Sequence, residues 1–339
     1  MDLQEQACWL LLTFESGLPT QVVNDILMIW CRQLKRPLQE FITSGPMVWR
    51  DTCHLTTAMV QKLEDAKAKL AGQVFLAESL IQQRIGLLTV LDPAYPTLLK
   101  TTLKRIQAPP LLFYAGDLDL LKRHIVAIIG SRNAGEESLS FTRAVAGYLA
   151  AHEINVISGN ARGVDRAAYD GALSVNGYTT VVLPHGIRKL SGIQKRQLQE
   201  KIEAGKVLLL SQFHPDAPWQ VSRAMEHNKV VTALAQVVVV AESDTRGGTW
   251  DGANAALKQQ RPLYVREPGN AQTLPGNTAL LANGASPLPS NESQLAVSLA
   301  SLLPEVTLLH QERMGALERP DQLSLLAFSA EPLVSYDHP

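Results

Sequence analysis

A chain of 339 residues, 46% hydrophobic and 19% charged, holds enough apolar material for a full core and too much for a disordered protein. One large domain with smaller additions is expected at this length. The formal net charge of −1 excludes a nucleic-acid reading built on overall basicity, so any such reading must rest on local distribution.

No run approaches the roughly 20 apolar residues of a membrane helix, and Asp2 and Glu5 stand where a basic leader would begin. A cytoplasmic protein is expected. From Gln4 to about Gln83, apolar residues recur at helical spacing, as at Val22, Ile26, Ile29 and Trp30, with breaks at Gly17-Leu18-Pro19 and Ser44-Gly45-Pro46. Residues 1–84 therefore read as a small helical domain, an adaptor without a catalytic cluster. Cys8, Cys31 and Cys53 are odd in number, widely spaced and without partners at metal-ligand separation. They are expected as small core residues, with neither zinc nor a disulfide framework.

From Ile85 to Asp117, the prolines of Leu91-Asp92-Pro93-Ala94-Tyr95-Pro96 and Ala108-Pro109-Pro110 interrupt helix and sheet. Extended pieces leading into a following core are expected there. Short β-branched runs then alternate with longer amphipathic ones. Strands are expected at Ile125 to Ile129, Asn155 to Ser158, Thr179 to Leu183, Val207 to Leu210, Val237 to Ala241 and Pro262 to Val265. Helices are expected near Glu136 to His152, Val164 to Asn176, Gln194 to Ala204, Gln220 to Leu234 and Thr249 to Gln259. Such alternation implies right-handed crossovers and an α/β, Rossmann-like, mostly parallel sheet with helices on both faces. Residues 85–288 are assigned to that domain and its N-terminal extension. Residues 289–339 are assigned to a C-terminal tail or small appendage, with weak helical signals at Gln294 to Leu303 and Asp321 to Phe328.

In an open parallel sheet, ligands sit beyond the carboxyl ends of the strands, where helix N-termini aim free N–H groups outward. After the first expected core strand comes Gly130-Ser131-Arg132-Asn133. Glycine there admits close backbone approach, and Arg132 offers a fork to a phosphate; a plain βα turn is the simpler reading. After the second comes Ser158-Gly159-Asn160-Ala161-Arg162-Gly163-Val164-Asp165, a longer anion-friendly loop in which Asp165 reads as a helix cap. The dinucleotide glycine fingerprint is absent from the first turn, which argues against NAD or FAD. Between Leu120 and Val230, fourteen Lys/Arg stand against nine Asp/Glu, a local basic surplus in a nearly neutral chain.

In order and spacing, Gly130-Ser131-Arg132 and Ser158 to Asp165 resemble the paired signatures of the DNA-processing protein A (DprA/Smf) family. Further similar segments are Gly177 to Ile187, Asn228 to Leu234, Val237 to Glu242, Pro268-Gly269, Gly276-Asn277 and Gly284-Ala285, with Tyr95-Pro96 and Pro109-Pro110 ahead of them. The similarity runs from about Ile85 to Ala285. It implies a Rossmann-like fold, preceded by a small helical domain of sterile-alpha-motif or helix-hairpin-helix kind. It also implies a homodimer that binds single-stranded DNA and hands it to the RecA recombinase, in DNA uptake, recombination or defence against foreign DNA, with no cofactor and no metal. By position, Arg132 and Arg162 would meet phosphates, Gly130, Ser131, Ser158, Gly159 and Gly163 would shape the pocket, and Asn228 and Lys229 would line its rim. Tyr169, Phe213 and Trp219 are candidates for stacking on bases.

Three departures mark a divergent member. Tyr169 stands where the family usually has His, Ser211-Gln212 where it has Ser-Glu, and His227-Asn228-Lys229 where it has Arg-Asn-Arg. The last exchange replaces a bidentate fork with one point charge and a mostly neutral ring. No winged-helix pattern is visible in the tail. The competing reading starts from Glu242 to Asp251, similar to the Gly-Gly-x-Gly-Thr loop of related nucleotide-processing enzymes but lacking its third glycine. Glu242 and Asp251 would be the carboxylates of a nucleoside-monophosphate N-glycosidase, or the loop would belong to a sensor that binds a small nucleotide. The simpler alternative makes Gly247-Gly248 a tight turn and Thr249 a helix cap. With no complete catalytic constellation, a binding protein is expected over an enzyme.

Overall fold

The computed structural model of the chain describes residues 1–159, 161–190, 192–268 and 275–317. It separates into two compact units, Met1–Phe113 and a second beginning at Tyr114. The first unit thus reaches well past residue 84, where the sequence places the boundary. Buried polar ties explain the difference. Asn24 Nδ2 donates to the carbonyls of Arg105 (2.8 Å) and Ala108 (2.9 Å), and Arg105, 1% exposed, pairs with Asp25 at 2.8 Å. The Tyr95 hydroxyl donates to the Pro109 carbonyl at 2.9 Å.

The helices of this unit span Leu3–Leu10, Thr20–Leu27, Leu38–Thr43, Pro46–Cys53, Thr57–Lys67, Leu70–Gln82 and Thr97–Gln107. Val22, Ile26, Ile29 and Trp30 are buried as their spacing requires. Trp30, Phe41 and Trp49 pack ring to ring, at centroid distances of 5.5 and 5.7 Å. Two strands, β1 (Gly86–Thr89) and β2 (Leu111–Ala115), run side by side. The helix Thr97–Gln107 departs from the extended connector expected there. Proline obstructs a helix through the residues that precede it, so Pro96, standing just ahead of Thr97, marks the start and leaves Leu99 and Leu103 to bury one face. Cys8 and Cys53 are buried and Cys31 half-buried, all three free. Burial pushes their thiols up to about 12, so they are inert at neutral pH.

The second unit is an α/β sandwich around strands β3 (Ile125–Ile129), β4 (Asn155–Ser158), β5 (Thr179–Val182), β6 (Val207–Ser211), β7 (Val237–Val240), β8 (Leu263–Arg266) and β9 (Ser286–Leu288). They lie in the order β6-β5-β4-β3-β7-β8-β9, and every neighbouring pair is parallel. Strand order reverses at β3, which pairs Val126 with Val156 of β4 on one side and with Val237 of β7 on the other. That reversal opens a crevice at the strand tips. Val126 and Ile128 join a core with the helices Glu136–Ala151 and Val164–Ser174. Alternation turns Ile129 to the other face, where it meets Gly252 of the helix Gly248–Lys258.

The six strands expected from sequence start and stop within one residue of those observed. The seventh, β9, holds the proline that disguises it, at the edge where proline is tolerated. The stretch after residue 288, assigned from sequence to a tail or small appendage, packs on this unit as far as it is described. The helix Glu292–Leu317 drives Leu295, Leu299, Leu302 and Val306 into the core of this unit. Its interior Pro304 and surrounding serines dilute the leucine spacing in the sequence. The second helical signal, Asp321 to Phe328, lies outside the described residues.

Candidate functional site

Three loops meet at the tips of β3, β4 and β7. The Ser131 N–H donates to the Glu242 carbonyl at 2.9 Å, and the Val164 N–H to the Ser131 carbonyl at 3.2 Å, so the loop after β3 is stitched on both sides. The Glu242 carboxylate accepts from the Gly135 N–H at 3.3 Å and from the Ser138 hydroxyl. Arg266, itself buried, donates from Nη2 to Ser138 Oγ (2.8 Å) and from Nε to the Ala241 carbonyl (3.1 Å). Asn277 closes the arrangement. Its Oδ1 accepts from the Ser243 N–H at 2.8 Å, and its amide donates to the carbonyls of Ala241 and Arg266.

Two glycines are obligatory here. Gly163 has φ +81°, and a Cβ on it would stand 2.4 Å from the Ser131 carbonyl and 2.7 Å from that of Arg132. A Cβ on Gly130 would be driven into Val164 at 2.5 Å. The sequence places glycine where the chain after β3 and the start of the helix Val164–Ser174 meet at close range, backbone to backbone at Gly163 and against the Val164 side chain at Gly130.

The result is an open hollow of about 670 Å³, within the range of small-ligand and nucleotide sites. Of the residues singled out from sequence, Gly130, Ser131, Arg132, Gly159 and Asn228 line it. Ser158 and Gly163 do not reach it and act one step behind. Ser158 Oγ is buried, 2.7 Å from the Ile128 carbonyl and 2.9 Å from Asp165 Oδ1. Arg162 is exposed and absent from the lining; its Nη2 donates to Asn133 Oδ1 at 2.8 Å, which fixes it to the loop that carries Arg132. Lys229 is exposed and outside the hollow, and its carbonyl accepts from Gln259. Asn228 instead ties the helix Val221–Leu234 to the third loop, donating to the Gly248 carbonyl at 2.8 Å.

Of the three aromatic candidates, Trp219 is 46% exposed and lines the hollow. The Arg132 guanidinium lies 5.3 Å from its ring centroid, a cation–π pair at the mouth. Phe213, 7% exposed, is a loop anchor and offers no stacking face. Tyr169 is half-buried in an adjoining cavity. Val221, Met225 and Arg246 complete the wall and escaped the sequence reading. Arg246 is recoverable from the rule that loops after strands matter, because it lies in the loop that leads from β7 to the helix Gly248–Lys258.

The charge of the lining is mixed, with Arg132 and Arg246 set against Asp165, Glu242, Asp244 and Asp251. Two of these acids are tempered. Burial raises Asp165 to about 6 against the lowering pull of Ser158, the Ala161 N–H and Arg132. The Ser158 hydroxyl has one proton for two acceptors, an arrangement completed when Asp165 carries a proton of its own. Glu242 is turned inward onto Gly135 and Ser138. His227 is neutral: burial lowers it to about 4, and its Nε2 is 2.8 Å from the Val182 carbonyl.

Neither cap expected from sequence forms. Asp165 sits in the first turn of its helix and accepts backward from the Ala161 N–H at 3.1 Å. Thr249 lies inside the helix that Gly247, at φ +92°, begins. Asp251 occupies the first turn of that helix. Among the described residues, no group of three His, Cys, Asp or Glu side chains is placed to hold a metal, and no helix is long and apolar enough to cross a membrane. Asn160 and Gly269, parts of the family-like motifs, lie outside the described residues.

Residues 86–298 match the family model described as DNA recombination-mediator protein A. The chain is 28% identical over 307 residues to protein Smf of Synechocystis, covering 89% of this chain and 74% of that one. It is 31% identical over 183 residues to DNA processing protein DprA of Streptococcus pneumoniae, covering 54% of this chain and 63%, less than two thirds, of the relative. The X-ray structure of the pneumococcal protein superposes with a TM-score of 0.67 at 24% identity, covering 88% of this chain and 98% of that one. A structure of DNA processing protein A from Helicobacter pylori, described for its single-stranded DNA binding mode, superposes with a TM-score of 0.54 at 27% identity, covering 64% and 96%. With residues 86–298 matched by the family model, the chain belongs to the DNA recombination-mediator protein A family.

Proposed function

We propose that the chain binds single-stranded DNA at the tips of β3, β4 and β7, with a phosphate on the Ser131–Arg132 loop and a base against Trp219. The observation that carries this reading is the Arg132 guanidinium held 5.3 Å from the half-exposed Trp219 ring, beside a loop pinned by backbone hydrogen bonds. A cation and an aromatic face are thereby offered to adjacent parts of one nucleotide. Arg162, fastened to Asn133, supplies a second cation on the same loop pair. The description of the Helicobacter relative as a single-stranded DNA binder supports the reading. On it, the protein acts in DNA processing or recombination as a homodimer that passes its strand to RecA.

The N-glycosidase alternative has less support, since the Glu242 carboxylate is engaged by Gly135 and Ser138 and so is poorly free to act on a sugar. Incubation with nucleoside monophosphates and chromatography for free base separates the two. Anisotropy of a labelled oligothymidine over a salt series tests the binding reading. Affinity should fall steeply with log salt, and Arg132→Ala and Arg162→Ala should each weaken binding and flatten the slope. Unchanged binding in both variants overturns it.

A further inference from the structure

Beside the hollow lies a second cavity of about 390 Å³, bordered on the shared side by Gly159, Ala161 and Asp165. One wall is the helix Val164–Ser174, which contributes Arg166, Tyr169 and Asp170. The other is the helix Gly192–Glu203, which contributes Gln194, Gln197 and Lys201. Their spacing of three and then four residues puts all three on one helical face. Val181 and Leu198, both buried, add apolar surface.

Arg166 Nε donates to Asp170 Oδ2 at 3.0 Å, which holds its guanidinium 5.2 Å from the Tyr169 ring centroid. The cavity therefore presents an aromatic ring backed by a cation, across from a row of carboxamides and next to an apolar patch. That combination suits a flat heteroaromatic ring with polar edges. The tyrosine supplies a stacking face, and each carboxamide supplies one donor and one acceptor to a base edge. Gly159 keeps the shared border low, since a Cβ there would stand 2.6 Å from Asp165 Oδ2 and 3.0 Å from His227.

We propose that this second cavity takes one unstacked base of the bound strand, stacked on Tyr169 with its polar edge toward Gln194 and Gln197. The proposal rests on the single-stranded DNA reading above and assigns a base-recognition role to residues that the Arg132 hollow does not use. Lys201, at the far end of the amide row, is placed for a following phosphate.

The test compares labelled oligothymidine with a deoxyribose-phosphate oligomer of equal length that carries no bases, using the full chain. Tyr169→Ala is expected to bind oligothymidine roughly tenfold more weakly while its affinity for the base-free oligomer and its slope against log salt stay at the wild-type values. Tyr169→Phe, which keeps the stacking face, should retain wild-type affinity. Gln197→Ala, on an exposed position where folding is not at stake, should lose a few-fold on oligothymidine alone. Equal losses on both oligomers, or no loss on either, for Tyr169→Ala and Gln197→Ala would overturn the proposal. Wild-type binding that ignores salt would instead remove the DNA reading beneath it.

Discussion

The carbonyl of Glu242 accepts the N–H of Ser131 at 2.9 Å, so the tip of β7 and the Ser131–Arg132 loop after β3 are one mechanical piece. The Glu242 side chain continues the bond into Gly135 and Ser138, with Arg266 behind Ser138. A carboxylate at the wall of an anion site works against the anion by charge and for it by holding the loop. The two roles predict opposite signs. If charge dominates, Glu242→Ala tightens DNA binding. If positioning dominates, as this geometry indicates, Glu242→Ala weakens it and Glu242→Gln, which keeps an acceptor oxygen, recovers most of the loss. The Ala variant should also lose about 1–3 kcal/mol of stability, because the buried Ser138 hydroxyl loses its acceptor. Tighter binding by the Ala variant at constant salt would refute the positioning role.

Arg105 and Asp25 form an ion pair almost entirely out of water in the first unit. Desolvation makes such a pair a poor source of net stability, yet removal of one member strands a buried charge. Asp25→Ala should cost about 3–5 kcal/mol in urea unfolding of the full chain. Replacing both residues with apolar ones of similar volume should cost far less. A single variant as stable as wild type would show that the pair is hydrated.

Asp165 and His227 contribute to the pH dependence with opposite signs, and His124, lowered by burial, adds to the His227 side. Asp165 is raised from 3.8 to about 6, so between those values the folded state binds more protons than the unfolded one and stability falls as pH rises. His227 is lowered from 6.5 to about 4; over that span the unfolded state binds more protons, and stability rises with pH. The wild type should therefore show a shallow profile between pH 4 and 6.5. Asp165→Asn, which removes only the falling contribution, should show stability climbing through the same window. For DNA the expectation is simpler. Ionisation of Asp165 above about pH 6 adds a negative charge beside Arg132, so wild-type affinity should drop across pH 6, and the Asn variant should not follow. Parallel wild-type and variant curves in both measurements would mean that Asp165 is ionised throughout.

The sheet was legible because its strands are runs of valine, isoleucine and leucine too short and too β-branched for helices. Val237–Val240 has no other plausible fate. The loops after β3 and β4 were legible as parts of the hollow's surroundings because glycine beside arginine at a strand tip has a direct physical meaning. What escaped were features whose signal is spread through space. β9 hides behind Pro287, the helix Glu292–Leu317 behind Pro304, and the 97–107 helix behind a proline that begins it. Lys229 stands outside the hollow that Asn228 lines because successive helical residues turn by about 100°. Met225 and Val221 are exposed apolar walls of the hollow, and nothing in an apolar residue's identity tells a wall from a core position, a distinction that only packing decides.

Gly163 gives the sharpest local prediction. Its φ of +81° and the 2.4 Å approach a Cβ would make to the Ser131 carbonyl combine two penalties, strain in the backbone and a clash with atoms that cannot rotate aside. Gly205 has a similar φ, +68°, with nothing within 4 Å of its Cβ position, and so isolates the first penalty. Gly205→Ala should cost about 1 kcal/mol and leave DNA binding untouched. Gly163→Ala should cost more, about 1–3 kcal/mol. It should also weaken DNA binding beyond what instability explains, because relief of the clash must displace the peptide between Ser131 and Arg132. Urea titrations of both variants, with anisotropy recorded well below the unfolding midpoint, separate the two effects. Equal stability losses with intact binding in both would show that the two loops can part without moving Arg132.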